Sequence, residues 1–277
     1  MLTFIEMEFL KLKRSKIFLL SLLGAILPPL LMFIAVMSFD EGQSFEALFR
    51  NVNMYMSAMF AVLIFTIIIS YLFGREYNEH TLKTMLTIPI SRGKFLTSKY
   101  LMFLVWIIIL TIVTGISTLA FGFAAGLDGF SLKLFADSIA QLLYAHVLLF
   151  LTFSPFVFIS LFITNMVPAM VGGAGLSLVN LMVHGQNWAL YIPWTCPYLI
   201  ASGEIADYTT SITMSYSIIL ATFLIGLIIS YVYFTRTDVS LQMVDFDILS
   251  INRVFSYNFT SPLFTKYTYQ YNNTLIR

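Results

Sequence analysis

Charge is scarce in this 277-residue chain: Asp, Glu, Lys and Arg together make up 10%, against about 25% in a typical soluble domain. That scarcity excludes an ordinary soluble enzyme, and 59% apolar residues exclude a disordered chain. A basic surplus is missing too. With 15 Lys and Arg against 14 Asp and Glu, nothing remains to neutralise a phosphate backbone, so nucleic acid is excluded as a partner. The single cysteine, Cys196, rules out an intrachain disulfide and a four-thiolate metal site. No G-x-x-x-x-G-K-[ST] phosphate loop exists: Gly93-Lys94 has no glycine five residues upstream and is followed by Phe95. The chain therefore does not hydrolyse ATP itself. What is there is hydrophobicity, with a mean hydropathy of +0.87, the composition of a membrane protein.

A charge at the bilayer centre costs at least about 2.5 kcal/mol, so charge-free intervals mark candidate spans. They cover residues 17–39, 51–74, 100–127, 138–203 and 208–235. Four of them each suit one helix of about 20 residues. The interval 138–203 is too long for one crossing, and Thr164-Asn165 before Pro168 places a turn within it. Its last part holds Trp188, Pro193, Trp194 and Pro197. Two close prolines oppose a full span and paired tryptophans suit the interface, so 185–203 reads as a re-entrant or surface hairpin. The expected fold is an all-α integral membrane protein with six transmembrane helices. They fall at 17–38, 54–74, 100–124, 139–163, 167–184 and 212–234, with the hairpin between the last two.

Lysine and arginine set the orientation. Lys11, Lys13, Arg14 and Lys16 precede the first span, and Arg75, Lys83, Arg92, Lys94 and Lys99 follow the second. With both groups in the cytoplasm, nine basic residues face Arg50 and Lys133 outside, the asymmetry of the positive-inside rule. Both termini are then cytoplasmic. The apolar run 17–37 has no small-x-small cleavage site and reads as a retained anchor.

Three segments lie outside the spans. In residues 1–16, Leu2, Ile5, Phe9 and Leu12 recur at helical spacing while Glu6, Glu8, Lys11 and Lys13 occupy other positions. This predicts an amphipathic helix in the inner interface, against the plainer reading of a charged lead-in. After the second span, residues 75–86 fit a helix that Pro89 ends, and Ser91 caps a new helix running through Phe95 into the third span. A short crosswise helix there is either a contact surface for a soluble partner or a charged loop serving topology alone. Residues 236–277 form a cytoplasmic tail rich in aromatics, with alternation at 267–271 that suggests an extended segment.

Arg75-Glu76-Tyr77, Thr81-Leu82, Leu86, Pro89, Ser91-Arg92, Phe95 and Lys99 carry a resemblance to the permease subunits of type-2 ABC exporters, among them bacterial peptide-antibiotic and bacteriocin immunity permeases. The family's pattern there is an acidic residue, Thr-Leu, Leu, Pro, Ser-Arg and Lys. His80 departs from it, standing where Gly commonly precedes Thr-Leu. The resemblance implies that this loop is a coupling helix seated in a cleft of a separate ATPase subunit. Glu76, Tyr77, Thr81, Leu82 and Leu86 become the ATPase-coupling contacts, with the N-terminal helix as a second contact. It also implies two ABC ATPase subunits that bind the ATP and Mg, no cofactor or metal in this chain, and a second permease copy or a related permease. The setting implied is the bacterial plasma membrane, with alternating access for a hydrophobic or amphipathic cargo such as an antimicrobial peptide or lipid-like molecule.

Within the spans no Asp, Glu, Lys or Arg occurs. That weakens the alternative of an ion-coupled secondary transporter or channel acting without an ATPase, because such proteins generally carry midplane ionisable groups. Thr111, Thr114, Ser117 and Thr118 are candidate pathway-lining residues, although Ser and Thr commonly bond back to their own helix. Ala169, Gly173 and Ser177 repeat at four-residue spacing and predict close helix packing. Pro28-Pro29 and Ser154-Pro155 predict kinks. His146, His184 and Asn180 read as structural polar groups, Asn180 bonding a neighbouring helix.

Overall fold

A computed structural model of the chain describes residues 15–38, 44–78, 92–163, 166–207 and 212–236, all of them helices, turns or short connections, with no β-strand among them. Helix α1, Lys16–Ser38, opens on Ser15, whose hydroxyl accepts from the Ile17 N–H at 3.1 Å. Helix α2, Phe45–Tyr55, is capped by Ser44 and passes through a π-turn, Met56–Phe60, directly into α3, Ala61–Asn78. Helix α4 is Arg92–Ala124, consistent with a start after Ser91. Gly126 and Gly129, with φ of +67° and +83°, turn the chain toward Ser131, which caps α5, Leu132–Thr152. Then come α6, Ser154–Phe162, and α7, Met166–Val183. A 3-10 turn at Asn187–Tyr191 leads to α8, Cys196–Ser202, which Gly203 ends in the left-handed region. A second 3-10 turn, Glu204–Asp207, precedes the last helix, α9, Ile212–Arg236.

Among the described residues, five helical stretches are long and apolar enough to cross a membrane: Lys16–Ser38, Phe45–Arg75, Arg92–Ala124, Leu132–Thr152 and Ile212–Arg236. The crossing expected at 167–184 corresponds to α7, whose apolar part, Val167–Val183, is shorter. The span expected at 139–163 is not one helix. It stops at Thr152 and restarts at Ser154, because Pro155 has no N–H and suits only a first helical turn. The second span is longer than expected, since α2 precedes its start.

Helices α1 and α4 run side by side in the same direction: Ser21 meets Trp106, Ala25 meets Thr114 and Phe33 stacks on Phe121. Phe65 sits at the centre of the core, edge-on to Phe103, His146 and Phe153 at 5.4, 5.5 and 5.8 Å. Leu23 and Ile34 on α1, Val171 and Met182 on α7, and Leu224 and Ile228 on α9 are exposed. Such continuous apolar faces suit contact with lipid.

The tightest crossing joins α6 to α9. A Cβ at Gly226 would lie 2.3 Å from Ser154 Oγ and 2.5 Å from the Pro155 backbone nitrogen. Gly226→Val should therefore destabilise the protein by about 1–3 kcal/mol through overpacking, read as a lower thermal midpoint in detergent. Gly175→Val, where nothing lies within 4 Å, should leave that midpoint unchanged.

Candidate functional site

Three helix ends meet at one end of the bundle and carry its basic residues. The last turns of α3 supply Leu72 and Arg75, the first turns of α4 supply Arg92, Lys94 and Lys99, and the end of α9 supplies Phe234 to Arg236. Lys99 is 1% exposed, donates to the Leu72 carbonyl and lies over the Phe95 ring at 5.1 Å. The Leu72 carbonyl lies in the C-terminal half of α3, toward the negative end of its dipole, and gives this buried cation an acceptor. Arg92 Nη1 donates to the carbonyls of Phe234 and Thr235 at 2.8 and 3.1 Å, covering the end of α9 likewise. Phe95 stacks on Phe234 at 5.5 Å, and Arg75 lies over Tyr71 and bonds its hydroxyl. One guanidinium and one ammonium thus tie α3, α4 and α9 together.

This knot brackets the loop assigned to coupling. Glu76 and Tyr77 fall on the last turn of α3, with side chains outside the described residues, and Thr81, Leu82 and Leu86 lie wholly outside them. So do most of the N-terminal amphipathic segment, residues 1–14, and the tail from 237 on. Arg92 and Lys99 were part of the sequence resemblance without a stated role; the structure makes them ties between helix ends. Their signal was a conspicuous one, cations at the edge of apolar spans.

The four candidate pathway residues lie along α4, but three of them are buried between helices. Thr111, Thr114 and Thr118 are at most 1% exposed. Thr114 Oγ1 donates to the Ala25 carbonyl at 3.1 Å. That carbonyl stands four residues before Pro29, which has no N–H to give it, so Thr114 supplies the missing donor across the helix pair. Thr111 Oγ1 donates to the Ile107 carbonyl at 2.9 Å and pairs with His146 Nδ1 at 2.8 Å. The buried Nε2 of His146 has no hydrogen-bond partner among the described residues. Ser117 and Thr118 bond back to α4 carbonyls. The geometry brings these hydroxyls to helix contacts.

The small-residue stripe of α7 lies against α2–α3 of the same chain. A Cβ at Gly173 would sit 2.3 Å from Thr66 Oγ1, and Ala169 is buried. Ser177 Oγ donates to the Met59 carbonyl at 3.1 Å, inside the π-turn, where the ordinary hydrogen-bond ladder is interrupted. Asn180 bonds the hairpin instead of a neighbouring span: its Nδ2 donates to the Trp194 carbonyl at 3.2 Å and its Oδ1 accepts from Thr195 Oγ1 at 2.9 Å. Trp194 Nε1 in turn donates to the Thr152 carbonyl at 3.1 Å. The usual donor for that carbonyl, the Phe156 N–H, is engaged with Phe153 at the helix break.

At the opposite end, the Phe45 N–H donates to the Asp128 carbonyl at 3.1 Å, pinning the start of α2 to the loop after α4. His184 Nε2 lies 3.7 Å from Glu204 Oε2, and Tyr198 donates to Glu204 Oε1 at 3.0 Å. Burial, and then the Glu204 carboxylate, hold the Tyr198 hydroxyl above its ordinary pKa. Arg50 and Lys133 belong to this end of the bundle. Lys16, Arg75, Arg92, Lys94, Lys99 and Arg236 belong to the other.

The comparisons with known proteins agree on one family. Residues 4–183 match the family described as ABC-2 family transporter protein. The chain is also similar to the bacitracin transport permease protein BCRB of Bacillus licheniformis, with 35% identity over 196 residues that cover 70% of this chain and 93% of that relative.

Removing the Thr114 hydroxyl isolates the Pro29 effect. Thr114→Val should cost about 0.6–1.7 kcal/mol, the range of hydrogen bonds between membrane helices, measured by denaturant titration in micelles. Thr114→Ser should restore stability, and Ser117→Ala should change it little.

Proposed function

This chain belongs to the ABC-2 transporter family, and from that premise we propose that it is the transmembrane permease subunit of an ATP-driven exporter. Its family in general works with an ABC ATPase partner. In this reading two such subunits bind ATP and Mg, and two permeases, identical or related, form the membrane part. Residues 17–235 are the transmembrane domain, with both termini, the N-terminal helix and the aromatic tail in the cytoplasm of a bacterial cell. Residue α7 small-face positions Ala169, Gly173 and Ser177 serve packing within the permease.

The observation that carries this reading is the cationic knot. Lys99 ties α4 to the C-terminal half of α3 and Arg92 ties α4 to the end of α9, so the helices on either side of residues 79–91 belong to one fastened group. A motor pressing on that loop through Glu76, Tyr77, Thr81, Leu82 and Leu86 would therefore move α3, α4 and α9 together. Alternating access needs such rigid-body displacement. The charge partition between the two ends of the bundle supports placing this end in the cytoplasm.

The cargo is hydrophobic or amphipathic: a membrane-active peptide antibiotic, or a lipid-like molecule. Bacitracin, for which the similar permease is named, is the first to test. Cells carrying the chain with a cognate ABC ATPase should show raised bacitracin tolerance, and Glu76→Ala with Leu82→Ala should lower it at least about tenfold while membrane levels stay constant. Co-purification of the ATPase should fall in parallel. Unchanged tolerance and unchanged co-purification in that double variant would sink the coupling assignment.

A further inference from the structure

Below the pinch at Gly226 and Ser154, α6 and α9 are bridged by rings instead of backbone. Tyr233 meets Phe158 and Phe162 edge-on at 5.5 and 5.8 Å. Beside these rings lies an open groove of about 470 Å³ lined by Phe158, Ile228, Ile229, Val232, Tyr233 and Arg236. Ile228, Ile229 and Val232 are 56%, 42% and 39% exposed, so the groove opens sideways from the bundle. Five apolar or aromatic side chains form its length, and one guanidinium stands at its end.

Arg236 is the notable member. A cation in the last turn of a helix usually serves that helix's terminal carbonyls, but on α9 Arg92 already takes the carbonyls of Phe234 and Thr235. No hydrogen bond or ion pair joins Arg236 to another described residue, and it is exposed. We propose that this groove is a binding site for an anionic phospholipid, one acyl chain lying along Ile229, Val232 and Phe158 and the phosphate meeting Arg236.

Charge and backbone chemistry both favour this occupant. An acyl chain brings no polar atoms into the apolar floor, whereas a peptide segment such as the chain's own tail would bring N–H and C=O groups with nothing there to receive them. The end of the groove coincides with the basic end of the bundle, where an anionic headgroup gains about 1 kcal/mol per nearby cation. The site lies outside the coupling loop, so it stands or falls separately from the transport reading; it rests only on the chain lying in a membrane.

The test is electron spin resonance on the full-length protein in phosphatidylcholine vesicles, comparing spin-labelled phosphatidylglycerol with spin-labelled phosphatidylcholine. The expected result is a preference of up to about fivefold for immobilising the anionic label. Arg236→Gln should abolish the preference and Arg236→Lys should keep it. Ile229→Trp, which fills the groove, should reduce immobilisation of the anionic label. Equal immobilisation of the two labels, or a preference that survives Arg236→Gln, would overturn the site. A rise in immobilised anionic lipid on deleting residues 237–277 would overturn it as well, by assigning the groove to the tail.

Discussion

Hydrocarbon offers no hydrogen bonds, so every backbone carbonyl released from a helix ladder inside the bundle must find a donor elsewhere in the protein. Three departures from regular helix within the described apolar stretches have such a donor. Pro29 releases Ala25, and Thr114 reaches it from α4. The π-turn after α2 exposes Met59 to Ser177 of α7. The break between α5 and α6 leaves Thr152 for the Trp194 indole. Each repair comes from a different element, so the irregularities double as the places where helices are joined in register.

The same requirement accounts for the hairpin after α7. Its Trp194 and Thr195 are held by Asn180 on one side and by Thr152 on the other, and Cys196, Leu199, Ala189 and Leu190 are fully buried. The segment therefore closes the opposite end of the bundle as part of the core. At the basic end the donors are cations in place of hydroxyls. Arg92 meets the last carbonyls of α9 and Lys99 a carbonyl in the C-terminal half of α3, the ends where partial negative charge gathers, and this offsets the cost of taking them out of water. Hydroxyls and an indole fasten the interior, and cations fasten the end where α3 stops and α4 starts.

Much of this was legible in the residues. Charge-free intervals located the long apolar helices, because the cost of a buried charge is large and independent of the partner that surrounds it. The loop pattern from Arg75 to Lys99 pointed to the family for a different reason, a run of specific side chains that apolar spans do not supply. The interruption at Ser154-Pro155 was also legible, since a missing N–H is a local property. What stayed hidden was the extent of the interruption, which splits the expected 139–163 span into two helices, and the π-turn, which no single residue type announces.

Thr114 and Asn180 show where the boundary lies. Composition and spacing mark both as polar groups in apolar helices, equally suited to a pathway, a neighbour or their own backbone, and sequence spacing cannot choose among these. Only the packing of α4 on α1 sets Thr114 opposite the carbonyl that Pro29 leaves open, and only the return of the hairpin sets Trp194 beside Asn180. By itself, then, the sequence determined the solvent and the approximate spans and pointed to the family, because those follow from transfer energies and motifs carried by individual segments. The tertiary structure decided which polar group answers which open carbonyl, because that depends on distances between helices far apart in the chain.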